Sequence, residues 1–251
     1  MIDILGNGRV GAALSARART AGLDVTCIGR RDDAGILADH PGRPLLLATR
    51  NDDLESALSR VPHNRRDDVV FAQNGMLRPF LLDRGWQAST RTLLFFAVAQ
   101  RGDDITGGTA SPAYGPHAAS MAAFGEAIAV PFTSVDATTF ADRELEKLLW
   151  LVIFGTLGGA TGQPVGVVAD RHREEVVALV AELAPIGRTA IPAALPNDGL
   201  VAALLAYTAS VASWRAAPRE HSWRAGWFLE AAAAHTLPTP HFSRWLAHLA
   251  R

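Results

Sequence analysis

Short apolar runs recur through the first half of the chain, and the second half is helical in its periodicity. The runs at 2–5, 24–28, 45–48, 69–72, 93–99 and 129–133 predict buried strands, and the intervening stretches ending at Ala21, at 52–61 and at 116–127 predict helices. Segment 102–115, rich in glycine and polar residues, predicts a short antiparallel ribbon, and 63–68 (HNRRDD) a solvated turn. Residues 31–44 leave little room for a further strand and helix, so that part of the doubly wound pattern is abbreviated. A single long helix is predicted over 138–162, charged in its first third and largely apolar after Lys147. Further helices are predicted at 171–184, 199–216, 219–235 and 241–250, with Pro218 suited to an opening turn. Segment 134–137 is the expected junction between a domain over 1–137 and one over 138–251.

The chemistry starts with the first of these elements. The run at 2–5 ends in Gly6-Asn7-Gly8-Arg9-Val10-Gly11, and a helix and a second strand follow within thirty residues. Gly6 permits the tight turn, Gly8 lets backbone approach a pyrophosphate, and Gly11 lets helix and strand pack closely. The helix start then offers free N–H groups to the anion. The second strand runs into Gly29-Arg30-Arg31, where guanidinium groups suit the 2′-phosphate of NADPH. Asp32 follows at once and keeps NAD open, and the two arginines also read as a solvated loop. Ligands bind beyond the carboxyl ends of parallel strands, which places Thr49, Arg50, Gln73, Asn74 and Ala99 toward a coenzyme. Asn74-Gly75 reads equally as a turn pair.

Composition narrows the class without changing it. Over 251 residues the formal net charge is −1, which gives no global field toward nucleic acid or an anionic membrane. The single cysteine, Cys27, rules out an internal disulfide and reads as buried filler in a strand. The apolar run 148–160 is shorter than the roughly 18–20 residues a bilayer needs, and Gly155, Gly158 and Gly159 suggest close helix packing. No basic segment followed by an apolar stretch opens the chain, so a cytoplasmic location is expected. The eight histidines are scattered, and no metal site is expected.

In the order and spacing of these motifs the chain resembles the ketopantoate reductase (2-dehydropantoate 2-reductase) family over nearly its whole length. The resemblance rests on Gly6–Gly11, Arg30, Arg50, Gln73-Asn74-Gly75-Met76, the Lys147 helix, and Glu220 followed by Gly226, His235 and Pro240. It implies an α/β fold with an N-terminal Rossmann-type domain and an all-α C-terminal domain like that of 6-phosphogluconate dehydrogenase. It also implies NADPH-dependent reduction of a 2-oxo acid or related ketone, a small-molecule substrate, and a homodimer as an assembly open to it. On this resemblance Lys147 is the general acid, Glu220 binds substrate near it, and Asn74 stands beside the nicotinamide. Gly6, Asn7, Gly8, Arg9, Val10, Gly11, Arg30, Arg31, Thr49, Arg50, Asn74 and Ala99 hold the coenzyme. Arg50 stands where many members have lysine. Leu151 and Gly155 replace two asparagines of the family, Thr208 keeps the hydroxyl of its substrate-binding serine, and Ala212 replaces an aspartate. Leu151 and Thr208 are therefore the expected substrate contacts in a pocket less polar than the family's. The same architecture leaves open reduction of C=N, and a coenzyme-binding protein without turnover.

Overall fold

The computed structural model describes residues 1–249; Ala250, the predicted end of the last helix, lies outside the described residues with Arg251. The chain forms two compact units. One comprises Met1–Asn74 and Leu82–Phe140, the other Gly75–Leu81 and the chain from Ala141 onward.

The first unit is a seven-stranded sheet among the described residues, in the order β2-β1-β3-β4-β5-β6-β7. Its strands are β1 (Ile2–Leu5), β2 (Val25–Ile28), β3 (Leu45–Leu47), β4 (Val69–Phe71), β5 (Thr90–Thr92), β6 (Ser111–Tyr114) and β7 (Phe132–Ser134). β1 to β5 run parallel, β6 is antiparallel to β5, and β7 is parallel to β6. Helix α1 (Arg9–Thr20) follows β1, α2 (Leu54–Leu58) follows β3, and α4 (Ala118–Ala127) lies between β6 and β7. Helix α3 (Arg78–Asp83), whose first four residues belong to the second unit, was not predicted. Strand order reverses at β1, between β2 and β3, which is where α/β sheets of this kind bind ligands. The abbreviated segment between β2 and β3 holds only a 3-10 turn, Gly35–Asp39.

Side chains alternate faces along a strand. Ile2 and Ile4 join Leu14 and Ala18 of α1 and Met121 and Phe124 of α4 in one core. Asp3, between them in sequence, is fully buried and ion-paired to Arg65 at 2.9 Å. This corrects in part the reading of 63–68 as a solvated turn, in which His63, Asn64, Arg66 and Asp67 are exposed. It is a 3-10 segment, His63–Asp68, whose Arg65 is completely buried and also bonds Asp68 at 2.7 Å. His40 and Arg43 add contacts to Asp3, and His117 to Asp68. A buried carboxylate demands such partners, and the hydropathy of isolated segments does not display them.

The strand predicted at 93–99 is displaced to Thr90–Thr92. Beyond Thr92 the facing residue is Pro112, which has no N–H for the ladder, and the Ser111 hydroxyl accepts from Phe95 N instead. The ribbon predicted at 102–115 reduces to a bridge between Ala97 and Thr106, followed by β6.

The second unit is helical: α5 (Ala137–Thr161, from Ala141 on), α6 (Val165–Arg171), α7 (Arg173–Gly187), α8 (Asn197–Ser210), α9 (Ala225–Ala234) and α10 (Pro240–Leu249). α6 was not predicted. The helix expected from 219, with Pro218 in its first turn, starts only at Ala225, after a 3-10 turn at His221–Trp223. The reason lies in α5. A Cβ on Gly158 would stand 2.7 Å from the Ala216 carbonyl oxygen, and one on Gly159 2.7 Å from Pro218 Cδ. These glycines do serve close packing: Gly158 against a non-helical strap, and Gly159 against both that strap and helix α10, where a Cβ would stand 2.8 Å from Leu249 Cδ2. Among the described residues no single helix is long and apolar enough to cross a membrane.

Candidate active site

In the first unit the glycine turn has the geometry its sequence predicts. Gly6 adopts φ +124°, and a Cβ there would lie 2.6 Å from the Ala48 carbonyl oxygen. A Cβ on Gly11 would collide with the Gly6 carbonyl oxygen at 1.8 Å, whereas one on Gly8 would meet nothing within 4 Å. Gly6 and Gly11 therefore close the turn on itself, and Gly8 leaves its outer side open. Helix α1 starts there with no side-chain cap and no acidic residue in its first turn, so its first N–H groups are available to an anion. Two of the predicted coenzyme residues meet directly: Arg9 donates to the Ala99 carbonyl at 3.0 Å.

At the ends of β3 and β4, Asn51 donates to the Asn74 carbonyl at 2.9 Å, and Gln73 Nε2 donates to the Leu47 and Thr49 carbonyls at 2.8 and 3.2 Å. Gln73 Oε1 and Asn74 Oδ1 are buried without a hydrogen-bond partner. Orphaned amide acceptors suit an N–H donor such as a carboxamide, so these residues fit a nicotinamide coenzyme. Arg30 extends from the end of β2 to Asp53 at 2.9 Å and stays largely exposed, and Asp32 is held by Gly29 N at 2.7 Å. Arg31 and Arg50 are exposed and Thr49 is half-buried.

The second unit contains a buried lysine. Lys147 on α5 is 5% exposed and donates to the Tyr207 hydroxyl of α8 at 3.3 Å. Its ammonium lies 4.8 Å from the Tyr207 ring centre and 5.4 Å from that of Trp150. Burial is the main cause that lowers its pKa to about 7; the Arg224 and Arg143 charges lower it further and Glu146 opposes them. Burial likewise raises Tyr207, keeping it a neutral donor. Glu146 is raised by burial against the pull of Arg143 and Lys147.

Glu220 sits in the left-handed region at φ +46° and pairs with Arg224 Nη2 at 2.5 Å. Thr208 donates to the Leu204 carbonyl at 2.7 Å and accepts from Trp150 Nε1 at 2.9 Å, which fixes the indole. Leu151 is half-buried on α5, one turn past Lys147. A Cβ on Gly155 would make ordinary contact with the Ala217 carbonyl at 3.5 Å, so the strap borders that position. Tyr207 and Arg224 were not singled out in the sequence. Tyr207 adjoins Thr208, and Arg224 stands four residues after Glu220; these were the available signals. Among the described residues no group of three or more His, Cys, Asp or Glu side chains is placed to hold a metal ion.

A parallel sheet with a glycine turn after β1, followed by a helical unit, defines a Rossmann-type α/β protein with an all-α C-terminal part. No family model and no curated protein matches the sequence. Among solved structures, 2-dehydropantoate 2-reductase from Geobacter metallireducens GS-15 superposes with a TM-score of 0.77 at 17% identity, covering 99% of each chain. The PanE/ApbA family ketopantoate reductase from Ralstonia eutropha JMP134 gives 0.72 at 17% identity, covering 100% of this chain and 97% of that one. D-mandelate dehydrogenase in complex with NADH gives 0.76 at 12% identity, covering 100% and 98%. The chain therefore has the fold of ketopantoate reductases, in a highly divergent sequence.

Proposed function

We propose that this protein is a nicotinamide-dependent reductase of a carbonyl group, a 2-oxo acid or related ketone, with NADPH as its coenzyme. The observation that carries the reading is Lys147, a buried amine whose pKa lies near 7, in a chain whose first unit has a closed glycine turn and an uncapped helix start. The solved structures of like fold carry the names of a ketopantoate reductase and a dehydrogenase bound to NADH, which supports the same class.

A reduced nicotinamide, when bound, supplies a hydride to the carbonyl carbon. As the C=O π pair moves onto oxygen, Lys147 Nζ gives that oxygen a proton and becomes a neutral amine, which water reprotonates. Tyr207 and Trp150 orient the amine; Glu220 belongs to the same unit and takes part in substrate binding. Asn74, Thr49 and Ala99 hold the coenzyme with Gly6–Gly11, and Arg30 leaves Asp53 for its 2′-phosphate. Leu151 and the indole held by Thr208 give the pocket an apolar wall, which favours an oxo acid with an apolar side chain.

Coenzyme oxidation should be followed with 2-oxo acids, neutral ketones and cyclic imines. Turnover of the carbonyl compounds, lost in Lys147→Ala with coenzyme binding intact, is the expected result. Turnover of imines alone would replace C=O by C=N. Tight coenzyme binding with no turnover of any compound would leave a coenzyme-binding protein.

A further inference from the structure

We infer that Arg224 is the anchor for the substrate's carboxylate. The inference rests on the reductase reading and names a specificity residue for it.

Three observations support it. Arg224 is more than nine-tenths buried, at 9% exposure, where an arginine is seldom found unless paired. Only part of its donor fork is used: Nη2 meets Glu220 at 2.5 Å, while Nε is buried with no hydrogen-bond partner. Native structures rarely leave such a donor unsatisfied, and a ligand acceptor is the natural completion. Finally, its charge reaches Lys147. Arg143 and Glu146 also act on that amine, and Glu220 pairs with Arg224 itself.

The methyl ester of the same acid offers the same carbonyl without the charge.

The test compares an oxo acid with its methyl ester, in the wild type and in Arg224→Met and Arg224→Lys. It also measures binding of oxamate, a non-reducible carboxylate, by tryptophan fluorescence with coenzyme present. In Arg224→Met the KM for the acid should rise about thirtyfold or more, a usual consequence of removing one partner of a buried charged contact, with the ester changed less than about threefold. Oxamate binding should fall in parallel, and lysine should restore part of it. Equal losses for acid and ester, or oxamate binding that ignores the substitution, would overturn the inference. Should Arg224→Met not fold, the wild type decides: neutral oxamide binding as tightly as oxamate also overturns it. Absence of any turnover, with oxamate binding still dependent on Arg224, would remove the reductase reading and leave the anchor standing.

Discussion

Lys147 links chemistry to stability. Its surroundings lower its pKa from 10.5 to about 7, through burial first and Arg224 second, with Glu146 opposed and Tyr207 in contact. Reduction needs the ammonium, so kcat/KM should be level below about pH 7 and then fall about tenfold per pH unit. A profile flat from pH 6 to 9 would dismiss Lys147 as the acid. The same shift has a folding consequence. Below about pH 7 both folded and unfolded lysine are charged, and the folded state bears the full cost of burying the ammonium. Between about pH 7 and 10.5 the unfolded chain holds a proton that the folded one has lost, so stability rises with pH across that window. Lys147→Met should therefore stabilise the protein at pH 6 by about 3 kcal/mol, in the range a buried lysine costs, and flatten the slope above pH 7 in urea titrations. Equal stability of the two proteins at pH 6 would show that the ammonium is not strained. The sequence already marks Lys147, as the last charge before an apolar run. It conceals the partners, because Tyr207 is 60 positions away and Arg224 further still, and pattern along one helix cannot show what crosses it.

The elements that could be read from sequence are those whose cause is local. Gly6 and Gly11 announce a turn because a side chain at either would collide with backbone, and the parallel strands announce themselves as continuous apolar runs. What escaped depends on distant residues. Arg65 and Asp68 of the polar string 63–68 are buried because Asp3, on β1, faces away from the core that holds Ile2 and Ile4 and needs a cation. The end of α8 and the late start of α9 follow from glycines on α5 that admit the strap. Arg65 gives a clean measure of such tertiary demand. Arg65→Met takes from the fully buried Asp3 its fully buried guanidinium partner, with Arg43 left, and from the buried Asp68 the same partner, and breaking a buried pair this way costs about 3–5 kcal/mol. The urea midpoint should fall accordingly. A loss under about 1 kcal/mol, typical of exposed pairs, would restore the solvated reading of that turn.

Over the whole chain, sequence and fold have diverged at different rates: identities of 12–17% accompany TM-scores of 0.72–0.77. Conserved architecture of this kind leaves coenzyme choice to a few side chains after β2, and here they point both ways. Arg30 is a largely exposed guanidinium paired with a partly exposed Asp53, an arrangement that a phosphate dianion can displace with little loss, since exposed pairs are weak. Asp32, the carboxylate available to a ribose hydroxyl, is already committed to Gly29 N. NADPH should therefore bind more tightly than NADH. A ligand at about one hundred times its Kd adds about 2.7 kcal/mol, which for a chain of this size raises Tm by about 5–10 °C. At equal coenzyme concentrations NADPH should give the larger shift, and Arg30→Ala should cut the NADPH shift to that of NADH while leaving the NADH shift unchanged. Equal shifts in the wild type, or an Arg30→Ala protein that still distinguishes the two, would move the preference to another residue or to NADH, with Asp32 then the group to substitute.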